Sequence, residues 1–224
     1  MPSHTCPPRG APAGEPAVRF EGAVRRYGPL HTVGPLDLAV RPGTCTALTG
    51  PNGCGKSTAL RMAAGDEPCD EGAVRVLGAP PDQADPAFRR RVAVLDAPAF
   101  FPDLTVREHL ELTAVGHGLG GRAPARVEEV LDECRLSAHA GLAPDGLSSG
   151  LRQMMSIAAL LLPPVLDLLL LDEPERHLDH EARRWLADVL RARRDGGACL
   201  LLATHHRPLV ESLAHEVHDM ARPA

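Results

Sequence analysis

An α/β chain with a mostly parallel sheet is what this sequence predicts, and three observations predict it. The first is a glycine-rich loop, Gly50-Pro51-Asn52-Gly53-Cys54-Gly55-Lys56-Ser57-Thr58, set between a short apolar strand at 44–49 and a helix at 59–64 that stops at Gly65. The second is a set of strongly apolar runs, 92–95, the leucine run 166–171 and 198–203, of the kind that forms strands buried on both faces of a parallel sheet. The third is the stretch 97–162, which reads helix after helix without a strand signal, as an inserted helical lobe would.

The loop carries its chemistry in its geometry. It matches the phosphate-cradling pattern G-x-x-x-x-G-K-[ST] at every fixed position. Glycines let successive backbone N–H groups turn inward on a phosphate, and a helix N-terminus adds about half a positive charge. Lys56 is placed to reach the β and γ phosphates, and the Ser57 hydroxyl to hold Mg2+. Lys56 is also the only lysine in a chain whose other strong bases are all arginine. A loop of this size wraps a compact ammonium and has no room for a planar guanidinium. These residues predict binding of ATP or GTP.

Composition bounds the rest. A chain of 224 residues fits one α/β domain, with or without a small inserted lobe, and can bury a sizeable core. The net charge of -5 offers no basic face for nucleic acid or anionic lipid. Six cysteines without a C-x-x-C pair argue for reduced thiols, with no zinc site or disulfide framework. The most apolar stretch, 157–171, is broken by Pro163, Pro164 and Asp167, and falls short of the roughly 20 residues a spanning helix needs. No signal peptide opens the chain, so it is expected to be soluble by itself.

In chain order, residues 1–16 are rich in Pro, Ala and Gly and read as a disordered lead-in. Val18, Phe20 and Val24 suggest an edge strand over 17–27, ending at Tyr27, the only tyrosine; it is either an ordinary aromatic or a stacking platform for a base. A second alternating strand covers 36–40, and another, closed by glycine, 71–78. A polar connector over 80–91 leads to the buried strand 92–95, which Asp96 follows directly. Thr105 and Glu108 form a capping box for a helix carrying Leu110, Leu112 and Val115. After a break at 116–121, Pro124 opens a helix with Val127, Val130 and Leu131 inward. Residues 147–153 lead into a further helix over 154–162. The leucine strand 166–171 ends in Asp172-Glu173-Pro174, an amphipathic helix over 181–193 turns Trp185, Leu186, Val189 and Leu190 inward, and the strand 198–203 ends at Thr204-His205. His206 and the pairs His177/His180 and His215/His218 read as surface residues, because no metal-ligand set accompanies them.

In open α/β sheets ligands sit beyond the carboxyl ends of the strands. Asp172 is therefore expected beside Ser57, on Mg2+ directly or through water, and Glu173 is expected to polarise a water attacking the γ-phosphate.

With these motifs in order, the chain resembles the nucleotide-binding subunit of an ATP-binding-cassette (ABC) transporter over residues 18–221. The resemblance implies a P-loop NTPase core, an N-terminal antiparallel β subdomain and a helical lobe at about 97–162, within one ATP-binding domain at 17–224. It implies that Leu147-Ser148-Ser149-Gly150-Leu151 stands where that family has its L-S-G-G-Q signature, that Leu178-Asp179 ends the loop running between monomers, that His205 contacts the γ-phosphate, and that Tyr27 stacks on adenine. Two such subunits, identical or different, pack head to tail, with ATP between the loop of one and Ser148, Ser149 and Gly150 of the other. A helix start with a serine hydroxyl and bare N–H groups suits that second anion site.

Three departures stand out. Asp96 occupies the place of the family's glutamine that touches Mg2+ and the lobe hinge, with Ala97 as the other alignment. Ser149 and Leu151 replace a glycine and the glutamine of the signature, and Arg176-His177 replaces Ser-Ala. The implied function is ATP hydrolysis powering a separate membrane permease, with residues 97–104 near the contact, and a place on the cytoplasmic face of the membrane. The chain ends soon after His205, which leans toward export. A soluble ABC ATPase unconnected with transport, or a regulatory subunit of low turnover, is the alternative.

Overall fold

A computed structural model describes residues 15–29, 31–96 and 100–221. Most of the expected lead-in, together with Ala97, lies outside the described residues. The order of elements is β1 (Val18–Tyr27), β2 (His31–Val40), β3 (Cys45–Thr49), α1 (Lys56–Ala64), β4 (Glu71–Val76), α2 (Pro86–Arg89), β5 (Val92–Leu95), α3 (Val106–Gly116), α4 (Ala123–Glu133), α5 (Ser149–Leu161), β6 (Leu168–Asp172), α6 (His180–Asp195), β7 (Cys199–Ala203), α7 (Arg207–Leu213) and β8 (Glu216–Asp219).

Two sheets share these strands. The larger has the order β5-β6-β7-β3-β8 and all its pairs are parallel. The smaller is antiparallel, β2-β1-β4. The strand at 17–27, expected at an edge, is the central one of the three. Register shifts between Phe20 and Ala23 let it run ten residues and pair on both sides. The edges fall instead to β4 and to β2, and β2 starts five residues earlier than its alternation suggests and carries Pro35, a residue with no N–H to give to a neighbouring strand.

The leucine run of β6 splits by the period of two that strands impose. Leu169 and Leu171 join the core under the helical section and α6, while Leu168 and Leu170 join the core formed with α1 and the small sheet. All four are wholly buried, which is why the strand has no polar face to show.

In the helical section the capping box of α3 is complete: the Thr105 N–H donates to Glu108 Oε2 at 2.8 Å and the Glu108 N–H to Thr105 Oγ1 at 3.3 Å. Its buried face is Val106, His109, Leu110 and Ala114, so Leu112 and Val115, expected on that helix with Leu110, point outward at 51% and 58% exposure. They lie off the 3.6-residue stripe that Leu110 occupies. Val127, Val130 and Leu131 of α4 are buried as expected. α7 and β8 had no sequence signal, since β8 is only Glu-Val-His-Asp. No helix among the described residues is long and apolar enough to cross a membrane.

Candidate functional site

The parallel strands β3, β6 and β7 all end on one side of the sheet, and their last residues bring the site together. α1 begins at Lys56, inside the glycine loop, three residues before the amphipathic signal starts. Gly55 caps it with φ 102°, and a Cβ there would fall 2.4 Å from Val33 Cγ1, so glycine is required both for the turn and for the approach of the small sheet. Lys56 is 7% exposed, and its ammonium donates to the carbonyls of Gly50 at 2.9 Å and Pro51 at 3.1 Å. Cys54 Sγ lies 3.9 Å from the same nitrogen. The lysine thus fills the turn of its own loop.

A cleft of about 480 Å3 runs along this loop from Asn52 to Thr58, and Asp172, Glu173 and His205 close its far side. Ser57 hydrogen-bonds the Asp172 carboxylate. Burial pushes the Asp172 carboxyl up from its ordinary value, the Ser57 hydrogen bond opposes that, and the charges of Asp96 and Glu173 add to it. Asp96 borders a second, adjoining cavity of about 280 Å3 with Ser57, Ser149, Asp172 and Glu173. A hydroxyl and clustered carboxylates form a hard oxygen donor set, and Ser57, Asp172 and Asp96 fit Mg2+ on that ground. Asp96 Oδ2 also accepts from Arg61 Nε at 3.2 Å, an ion pair the sequence did not disclose.

Glu173 sits at φ 45°, a left-handed conformation uncommon for a residue with a Cβ, and its N–H donates to the Ala203 carbonyl at 2.9 Å. The turn aims its side chain at the end of β7, where His205 Nδ1 lies 2.7 Å from Glu173 Oε2. The His205 side chain is otherwise open, at 74% exposure.

Tyr27 is tied to the loop by its hydroxyl, which donates to Glu67 and lies 3.1 Å from Thr58 Oγ1. Its ring is 38% exposed, with the His31 ring 5.7 Å away and the Arg25 guanidinium 5.4 Å from its centroid. His31, unmarked in the sequence, also lines the phosphate-loop cleft.

The structure does not bring Ser148 and Gly150 into that cleft. Ser148 caps α5, accepting from the Leu151 N–H at 3.3 Å, and with Gly150 it borders a separate cavity of about 300 Å3 beside Leu178 and Trp185. A Cβ on Gly150 would come within 3.0 Å of the His177 carbonyl, so the glycine keeps this helix start against the loop after β6. Gln153, buried, fastens the same two segments through a 2.9 Å bond from Nε2 to the Pro174 carbonyl. Ser149 alone of the three faces the cavity with Ser57. His206, read from sequence as a surface residue, is the N-cap of α7: its Nδ1 accepts from the Leu209 N–H at 3.3 Å. Glu175, 3% exposed beside Glu173, was also missed; a third acid after Asp172-Glu173 was its one signal.

The family described as ABC transporter matches residues 33–176. A Nod factor export ATP-binding protein I of Paraburkholderia xenovorans (strain LB400) is 36% identical over 208 residues, covering 91% of this chain and 67% of that protein. Its counterpart in Burkholderia thailandensis is 38% identical over 205 residues, covering 89% of this chain and 66% of that one. A spermidine/putrescine import ATP-binding protein PotA of Pseudomonas aeruginosa (strain UCBPP-PA14) is 33% identical over 208 residues, 92% of this chain and 57% of that protein. The chain therefore spans about two thirds of the length of the export proteins and less of the import protein. Among solved structures, an ATP binding subunit of an ABC transporter superposes with a TM-score of 0.81 at 27% identity, covering 92% of this chain and 88% of that one. The dimeric ATP-binding cassette MJ0796, in a post-hydrolysis state with ADP and Pi, shares the fold with a TM-score of 0.78 at 22% identity, covering 88% and 91%.

Proposed function

The chain belongs to the ABC transporter family of ATPases, and from that premise we propose that it hydrolyses ATP as half of a head-to-tail dimer that powers a separate membrane permease in the export direction. One observation carries the dimer. Lys56, Ser57, Asp172, Glu173 and His205 share a cleft, whereas Ser148 and Gly150 of the same chain border another cavity. An anion site at the start of α5 is of use only to a phosphate held by a second copy or a related chain.

In this reading the loop 50–58 wraps the phosphates, and Lys56 exchanges its two carbonyl partners for β and γ oxygens. Tyr27 stacks on the adenine. Ser57 and Asp172 hold Mg2+, with Asp96 beside them, and the ion when bound neutralises charge on the phosphates. Glu173 accepts the proton of the attacking water, and His205, already against Glu173, faces the γ-phosphate. The domain is 17–224, and its lobe at about 97–162 docks on the permease from the cytoplasmic side. Phe101, 60% exposed in the stretch expected at the contact, supports that surface. Export is favoured by the Nod factor export relatives, which are more similar than the polyamine import protein.

The test is Glu173→Gln, which keeps the shape of the side chain and removes the base. Light scattering on the eluting protein should show a dimer with ATP and a monomer without it. A monomer at every ATP concentration, alone and with a partner chain, would sink the head-to-tail arrangement.

A further inference from the structure

Glu175 is a second glutamate beside the base, separated from Glu173 by Pro174 and folded into the protein. It is 3% exposed, and Thr204, at the end of β7, is wholly buried against it. The Thr204 hydroxyl donates to Glu175 Oε1 and accepts the His206 N–H at 2.9 Å. The other carboxyl oxygen, Oε2, is buried with no donor, and so is Oε2 of Glu173. An oxygen from each carboxyl group lies with a His205 ring nitrogen inside a span of 4.8 Å. His205 Nδ1 approaches Glu173 Oε2 without making a well-aligned hydrogen bond.

Two bare carboxylates this near each other repel, and their two buried Oε2 atoms are left unsatisfied even though the Glu173 side chain reaches the cleft. One proton between them resolves both problems, turning a repulsive pair into a short charge-assisted hydrogen bond. We propose that Glu175 is a positioning residue for the catalytic base: its carboxyl group keeps a proton and donates it in a hydrogen bond to the Glu173 carboxylate, so that Glu173 is held toward the cleft while Thr204 anchors the far oxygen. This rests on the reading of Glu173 as the base.

The surroundings agree on where the proton belongs. Burial raises the Glu175 carboxyl above its ordinary value, the Thr204 bond opposes that, and Glu173 adds to it. The other titratable groups near it are His205 at the end of β7, His206 at the start of α7, and Arg183 of α6. Arg183 Nε lies 3.4 Å from the Glu175 backbone carbonyl and so does not reach the carboxyl group through that contact. The sign follows directly. Below its raised value Glu175 keeps the proton and holds Glu173; as pH rises through that value the hydrogen bond is lost and like charges push the base out of line.

The experiment compares steady-state ATP hydrolysis by the full chain and its variants across pH. Glu175→Gln, which donates a hydrogen bond at every pH, should keep kcat within about twofold at neutral pH and lose the fall with rising pH expected of the wild type. Glu175→Leu should lower kcat by about tenfold, a part of the 10²–10⁴-fold that general-base catalysis supplies, with KM for ATP unchanged. Equal losses in the Gln and Leu variants, or a Gln variant that falls with rising pH as the wild type does, would overturn the proposal. The Gln variant is isosteric, so its pH profile decides the matter even if Glu175→Leu does not fold. Glu173→Gln is assayed in parallel: if it retains full turnover, the reading of Glu173 has failed; if it is dead while both Glu175 variants behave as wild type, only the positioning role has failed.

Discussion

Removing the Lys56 ammonium should cost ATP binding far more than it costs the fold. In the nucleotide-free chain the ammonium satisfies the carbonyls of Gly50 and Pro51 at 2.9 Å and 3.1 Å. Lys56 itself lines an open cleft of about 480 Å3, so water entering from that cleft can replace the lysine in Lys56→Ala with little loss of stability. With ATP bound, two charge-assisted bonds to phosphate disappear. At about 1.5–3 kcal/mol for each hydrogen bond to a charged group, the loss is about 3–6 kcal/mol. With tenfold for every 1.4 kcal/mol, affinity should fall by about 10²- to 10⁴-fold. Titration calorimetry with MgATP reads the loss, and circular dichroism confirms that the variant is folded. Lys56→Arg separates charge from shape: it keeps the charge but brings a planar group into a space closed by Gly50, Pro51 and Cys54, and should bind nearly as poorly as the alanine variant. Wild-type affinity in a folded Lys56→Ala would refute the assignment of the loop, and wild-type affinity in Lys56→Arg would refute the steric part of the argument.

Three further outcomes are expected. Leu170→Ala, in a wholly buried position of β6, should lose about 2–5 kcal/mol in chemical denaturation, since neither face of the strand can collapse into the gap; a loss below that range would mean the sheet repacks. Burial pushes the thiols of Cys45 and Cys134 up to about 12, so their thiolates form only as pH rises toward that value. Mass spectrometry after iodoacetamide at mildly alkaline pH should find both unmodified in the folded chain and both modified in denaturant. Arg61 and Asp96 are 42% and 38% exposed, so a double-mutant cycle on their pair should give less than about 1 kcal/mol of stability. Calorimetric unfolding checks this, and a coupling of several kcal/mol would mean the pair is a structural lock.

What was legible in the sequence is what local chemistry determines. The loop at 50–58 was legible because glycine spacing and a lone lysine have few other uses, and β6 because four leucines in a row can only be buried on both sides. The capping box at Thr105 and Glu108 closes within four residues. The contacts that escaped are those the fold makes across long separations. Asp96 meets Arg61 from a different strand–loop junction, and Thr204 meets Glu175 across two parallel strands. Nothing in the local pattern of either partner announces these pairs. β1 was misplaced for a related reason: alternation reveals a strand, while its place in the sheet depends on partners elsewhere in the chain.

α1 carries more of this site than its nine residues suggest. Its first turn supplies Lys56, Ser57 and Thr58, and Thr58 meets the Tyr27 hydroxyl. One turn on, Arg61 extends its guanidinium to Asp96 on one side and to Glu67 Oε1, at 3.6 Å, on the other; Glu67 in turn takes the Tyr27 hydroxyl and lies 3.5 Å from Arg25 Nε. Tyr27 on β1 and Asp96 after β5 therefore both contact this one short helix and are joined by a chain of charged contacts. Glu67 and Asp96 share Arg61, so the Tyr27 hydroxyl and the acid after β5 are linked through one guanidinium. An aspartate at the end of β5 needs a counter-charge, and Arg61 supplies it from the helix whose first turn carries Lys56 and Ser57.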